Sequence, residues 1–112
     1  MKKILLISDT HSYFDETILK YVKDSDITIH AGDVGNEKLI KTFRKHTVFI
    51  GVYGNIDDHL MRSTLKENEI INIENHKFLI THIAGMCPNY NKKVKKLISD
   101  EKPNVLIYGH SH

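Results

Sequence analysis

At 112 residues the chain has the size of one domain, and a chain of that length buries roughly two thirds of its unfolded surface. Its 40% apolar and 27% charged residues exclude a disordered or collagen-like chain, and a net charge of +2 gives no argument for nucleic acid or an anionic membrane as partner. The one cysteine, Cys87, excludes an intrachain disulfide framework and a cysteine-rich zinc site, whereas eight histidines point toward metal chemistry.

The first apolar run predicts a buried strand over 3–8. It follows Met1-Lys2-Lys3 as a secretory signal would, but it stops at Ser8-Asp9 after four residues, where such a signal needs about 7–15. No later run approaches the ~20 apolar residues of a membrane span, so a cytoplasmic protein is expected. A lone cysteine fits a reducing compartment. Ile18, Leu19 and Val22 predict a helix over 15–23, and a β-branched run predicts a strand over 26–30. A second helix is predicted over 36–45, with Asn36 as N-cap and Leu39, Ile40 and Phe43 on one face. A strand over 47–53 follows. Segments 69–74 and 77–81 flank Asn75-His76 as a hairpin. A basic helix over 90–100 turns Val94, Leu97 and Ile98 inward and Lys92, Lys93, Lys95 and Lys96 to solvent. Pro103 ends it, and a last strand covers 104–108. Alternating strands and helices at the start imply right-handed crossovers and a mainly parallel sheet.

Five apolar runs each end in residues that can ligate a metal. They lead to Ser8-Asp9-Thr10-His11, to Ala31-Gly32-Asp33, to Gly54-Asn55, to Thr81-His82 and to Gly109-His110-Ser111-His112. Ligands of open α/β sheets bind beyond the carboxyl ends of the strands, so one layered core would gather seven oxygen and nitrogen ligands on one rim. Taken singly, Gly32-Asp33 and Gly54-Asn55 read as ordinary turn dipeptides. His110 and His112 on an extended segment project to one face, which suits neighbouring ligands.

The series Asp9-x-His11, Gly32-Asp33, Gly54-Asn55, Thr81-His82, Gly109-His110-x-His112 resembles the calcineurin-like metallophosphoesterase superfamily, in particular its small bacterial and archaeal phosphodiesterases. The resemblance runs over residues 1–112, read as one metallophosphoesterase domain. It implies a layered α-β-β-α sandwich with a mainly parallel first sheet and two divalent metal ions at the strand ends. Asp9, His11, Asp33 and His112 would hold one ion, and Asp33, Asn55, His82 and His110 the other, with Asp33 bridging. Mixed oxygen and nitrogen ligands suit Mn, Fe, Zn, Ni or Co better than Mg or Ca, and Mn is the ion expected. Two such ions about 3.5–4 Å apart share a hydroxide and clamp a phosphoryl group, so no side-chain nucleophile is needed. Two divalent ions, two aspartates and one hydroxide leave one positive charge, which a phosphodiester monoanion neutralises. The implied activity is hydrolysis of a small phosphodiester, with nucleic acid entering only as one candidate substrate. The alternative is a non-catalytic metal-binding scaffold on the same fold, as the retromer subunit of this superfamily illustrates.

The chain departs from the superfamily in three places. Larger members carry a histidine after Gly-Asn, where this chain has Gly54-Asn55-Ile56-Asp57, so the general acid is unassigned. Asp57 is then read either as a carboxylate that orients a ligand histidine or as a solvated turn residue. Thr81-His82 runs into Ile83-Ala84-Gly85, a loop through Pro88 expected to shape the substrate mouth. Relatives continue past the position of His112, so an incomplete second sheet, weakened activity and association into a homo-oligomer are expected. His30 reads as a satisfied core histidine, His46 and His76 as solvent-facing, and His59 as either exposed or near the site. Nothing near Cys87 resembles the surroundings of an activated thiol.

Overall fold

The computed structural model describes residues 3–11, 13–83, 85–86 and 89–109. It is an α/β fold with a parallel first sheet. That sheet has three strands, β1 (Ile4–Ile7), β2 (Ile27–His30) and β3 (Val48–Gly51), in the order β1-β2-β3. Their register is flush: Ile4 pairs with Ile27 and Ile27 with Val48, while Ile7 pairs with His30 and His30 with Gly51. All three strands therefore release their chains at one edge.

The connections are helices α1 (Glu16–Lys23) and α2 (Glu37–His46). Asp15 caps α1 by accepting the Ile18 N–H at 2.9 Å, and Asn36 caps α2 by accepting the Leu39 N–H at 3.1 Å. The helices bury Val22, Leu39, Ile40 and Phe43 against Leu5, Ile7 and Phe49 of the sheet. Phe43 stacks on Phe49 with ring centroids 5.2 Å apart.

Beyond β3 lie α3 (His59–Thr64), β4 (Asn68–Ile73), β5 (His76–Thr81), the short pair β6 (Gly85–Met86) and β7 (Asn89–Tyr90), α4 (Lys92–Glu101) and β8 (Val105–Ile107). The second sheet has the order β4-β5-β8, antiparallel then parallel, and α4 is the crossover to β8. Ile29 and Val52 meet Ile73 and Ile80 in the core between the two sheets, with Ile4, Ile27, Ile50, Ile71, Phe78 and Ile107 around them. Both faces of the parallel sheet are thus covered, as a parallel sheet requires.

Three local expectations shift. The segment from 59 to 64 folds as α3, capped by Asp58, although it buries only Met61 and so lacks a helical stripe. The hairpin turn is Glu74-Asn75, one residue earlier than expected; both have positive φ, 47° and 71°, and the pair closes Ile73 on His76. That is the geometry of a type I′ turn, which matches the twist of the strands it joins. The third strand ends at Gly51 because Val52 bridges to Lys66 and the Tyr53 N–H donates to the Lys66 carbonyl at 3.0 Å. The end of α4 is as expected: Lys102 takes a left-handed conformation, φ 49°, just before Pro103. Among the described residues no helix is long and apolar enough to cross a membrane.

Candidate metal centre

The flush edge of the first sheet places three loops side by side. The Asp9 N–H donates to the Gly32 carbonyl and the His11 N–H to the Asp33 carbonyl, each at 2.9 Å, so the loop after β1 is laced to the loop after β2. Asp9, His11 and Asp33 all adopt left-handed backbone, with φ of 54°, 49° and 58°. That conformation costs a non-glycine residue roughly 1–2 kcal/mol. Short polar residues adopt it most readily, and the lacing holds it here.

The side chains converge. Ligand atoms of Asp9, Asp33 and His82 lie within 4.8 Å of one another. His82 Nε2 is 3.1 Å from Asp33 Oδ2, 3.7 Å from Asp9 Oδ1 and 2.9 Å from Asn55 Oδ1. His11 Nε2 is 3.5 Å from Asp33 Oδ2 and 3.9 Å from Asp9 Oδ1, and its side chain is about half exposed. Asp9, His11, Asp33, Asn55 and His82, five of the seven expected ligands, therefore meet on one rim although they come from both sheets. His110 and His112 lie outside the described residues, as do Cys87 and Pro88. Gly109, which precedes His110, does reach the cluster: its N–H donates to the His82 carbonyl at 3.1 Å.

The donor set fits a cation. The His82 Nδ1–H donates to the Ala31 carbonyl at 2.7 Å, which turns the Nε2 lone pair toward the carboxylates. Asp33 is 2% exposed; its Oδ1 accepts the Ile56 N–H at 3.0 Å, and its Oδ2 faces His11 and His82 together. The Asp33 carboxylate and the His82 Nε2 lone pair are buried acceptors beside the oxygens of Asp9 and Asn55, and buried acceptors packed this closely are costly without a positive ion among them. Gly54 belongs to this packing: a Cβ there would lie 2.0 Å from Asp33 Oδ1, so the residue is glycine because the Asp33 carboxylate occupies that space.

Asp57 is not a solvated turn residue. It is 2% exposed, and among the described residues its carboxylate accepts backbone amides rather than an imidazole. Oδ2 takes the Gly54 N–H at 2.8 Å and the Val34 N–H at 3.3 Å, and Oδ1 takes the Gly35 N–H at 3.0 Å. Asp57 thereby clamps the loop of Asn55 to the loop of Asp33. His30 is the buried, satisfied histidine that was expected, and burial, above all, pushes its pKa down to about 4. His46, His59 and His76 are exposed.

A pocket of about 410 Å³ opens beside Asn55 and His82. Arg62 of α3 lines it, its guanidinium 4.9 Å above the Tyr53 ring and its Nε–H donating to the Asp57 carbonyl at 3.0 Å. Lys93 lines it from α4 and pairs with Glu67 at 2.7 Å, which holds the lysine pKa up. Arg62 escaped the sequence reading because the helix that carries it did.

Residues 1–112 match the model of the calcineurin-like phosphoesterase superfamily domain. The chain belongs to that superfamily. It is 31% identical over 118 residues to a probable metallophosphoesterase of Mycoplasma pneumoniae, a match that covers 100% of this chain and 69% of the relative. Its fold resembles that of a predicted phosphoesterase from Streptococcus pneumoniae, with 24% identity and a TM-score of 0.72 over 99% of this chain and 63% of the other. It also resembles the zinc complex of Vps29 from Entamoeba histolytica, with 20% identity and a TM-score of 0.75 over 97% of this chain and 64% of the other. The chain thus spans about two thirds of the length of these family members.

Proposed function

We propose that this phosphoesterase-family chain hydrolyses a small phosphodiester, with two divalent transition-metal ions held by the cluster on the shared rim. One observation carries the reading: Asp33 Oδ2 lies 3.5 Å from His11 Nε2 and 3.1 Å from His82 Nε2, so one buried carboxylate oxygen faces both halves of the ligand set. Asp9, His11 and Asp33, with His112, would hold one ion. Asp33, Asn55 and His82, with His110, would hold the other. The mixed donor set suits Mn first, then Fe, Zn, Ni or Co.

Bound ions of this kind supply an activated water and a clamp for the phosphoryl oxygens. The chain's own residues do the rest. His82 keeps its Nε2 lone pair aimed inward by donating Nδ1–H to Ala31. Asn55 presents an amide oxygen that adds no negative charge against an anionic substrate. Asp57 sets the distance between Asn55 and Asp33 through the amides it gathers. The adjoining pocket has room for the organic group of a diester, and its volume of about 410 Å³ falls in the usual range for small-molecule sites. Arg62, beside Asn55, adds positive potential where that anion would enter.

The test is hydrolysis of a chromogenic phosphodiester by the chain with added Mn²⁺. Turnover that disappears in Asp33→Asn supports the reading. Tight Mn²⁺ binding without turnover of any phosphodiester or monoester overturns it. That second outcome would favour a metal-binding scaffold, a reading supported by the fold shared with Vps29 at a TM-score of 0.75.

A further inference from the structure

The strand that delivers Asp33 ends on a histidine that the phosphoesterase chemistry does not use. His30 is fully buried, with Phe43 and Phe49 at ring-centroid distances of 6.3 and 6.5 Å. Both ring nitrogens are nonetheless engaged by the loops that carry the ligands. The Gly32 N–H donates to Nδ1 at 3.1 Å, and a backbone amide can only donate, so Nδ1 carries the lone pair. The neutral ring then bears its proton on Nε2 and donates it to Thr10 Oγ1 at 3.0 Å. The Thr10 hydroxyl in turn donates a hydrogen bond to the Val34 carbonyl at 2.8 Å. Every donor and acceptor in this relay has one consistent assignment.

The relay has a definite place. Thr10 stands between Asp9 and His11, while Gly32 and Val34 flank Asp33. The imidazole therefore ties the two loops together from below, at the residues next to the ligands. Those ligands hold left-handed backbone that an untied loop would abandon. Burial keeps the ring neutral, which the Gly32 bond requires, because a protonated Nδ1 could not accept it.

We propose that His30, acting through Thr10, is a positioning residue of the metal centre, fixing the spacing between the Asp9–His11 loop and the Asp33 loop and so setting metal affinity. The inference rests on the metal-centre reading above. It is tested on the full chain by calorimetric titration with Mn²⁺, on the parent and on Thr10→Val, Thr10→Ser and His30→Gln. Thr10→Val keeps shape and removes the hydroxyl; it should weaken Mn²⁺ binding by about 10–100-fold, the range for residues that orient metal ligands. Thr10→Ser keeps the hydroxyl and should restore binding to within a few-fold of the parent. His30→Gln keeps a donor toward Thr10 and loses the acceptor for Gly32, and should fall between them. Long-range ¹H–¹⁵N correlation of the His30 ring gives an independent readout: it should show the Nε2–H tautomer in the metal-free chain.

Mn²⁺ affinity in folded Thr10→Val within twofold of the parent would overturn the inference, and so would an Nδ1–H tautomer. A parent chain that binds neither Mn²⁺ nor Zn²⁺ would instead overturn the metal-centre reading itself, and this proposal with it.

Discussion

The first sheet brings its candidate ligands to the rim on loops, and the second brings His82 on the end of a strand. Asp9, His11 and Asp33 sit in left-handed backbone, laced by amides and backed by the carboxylate of Asp57. His82 follows β5 directly, and its place comes from strand register, with Asn68 opposite Thr81, together with the ring bond to Ala31 and the contact with Asn55. The contrast locates where rigidity comes from in each half. In the first half buried polar clamps hold strained loops. In the second half a regular ladder does the work, and its turn is far from the site. Substitutions should therefore act differently in the two halves.

The largest effect should come from Asp33→Asn, which removes the charge shared between the two halves of the cluster. Mn²⁺ affinity measured by calorimetry should fall by more than ~100-fold, beyond the range for residues that only orient ligands. A smaller loss than for Asp57→Ala would break the comparison at its centre.

Asp57→Ala should come next. It leaves the amides of Gly54, Val34 and Gly35 without their buried acceptor. Unsatisfied buried groups cost ≈1–3 kcal/mol each, and partial rehydration leaves a net loss of about 3 kcal/mol in urea denaturation. Mn²⁺ affinity should fall in the same variant, because one clamp serves both stability and site.

Acid should act on the first half of the molecule through His30. Its pKa of about 4 when folded lies below the ordinary 6.5 of the unfolded residue. Between those values the unfolded chain binds more protons, so stability falls as pH drops from about 6.5 to 4 and this contribution is gone below that. The total is about 3 kcal/mol. Urea midpoints of the metal-free chain across this range should show the slope, and His30→Gln should flatten it.

The smallest effect belongs to the second half. Glu74 occupies left-handed backbone, φ 47°, in the hairpin turn. Glu74→Asn should raise stability by about 0.5 kcal/mol, since asparagine accepts that conformation more readily. Mn²⁺ affinity should not change; a tenfold loss would show that the hairpin positions His82 more directly than its register implies.

Much of this architecture was legible because apolar periodicity and strand-end ligands are local features. The strands around Ile4, Ile27 and Val48 announced themselves, and Asp9, Asp33, Asn55 and His82 each stood where such a strand runs out. Part of what escaped depends on neighbours distant in sequence. Asp57 reaches Val34 and Gly35 across 23 and 22 positions, and His30 reaches Thr10 across 20, so no window along the chain contains both partners. Gly54 looked like a turn glycine until the Asp33 carboxylate was seen in the space of its missing Cβ. The turn at Glu74 was misplaced because glutamate is not a residue that signals left-handed backbone. The helix carrying Arg62 was missed because six residues with one buried side chain make no stripe.

The flush register of β1, β2 and β3 also divides the molecule into a chemical end and a structural end. All the ligand candidates described here leave the carboxyl ends of their strands. The turns at Asp24-Ser25, Glu74-Asn75 and Lys102-Pro103 gather at the opposite end, where Asn104 and Lys77 bond to each other and Asp26 accepts the Lys3 N–H. Exposed turns of that kind tolerate insertion when no buried backbone depends on them. Glu74-Asn75 is thus a natural graft point, where an added peptide, reporter or tether would extend away from the rim and leave the candidate metal centre as it is.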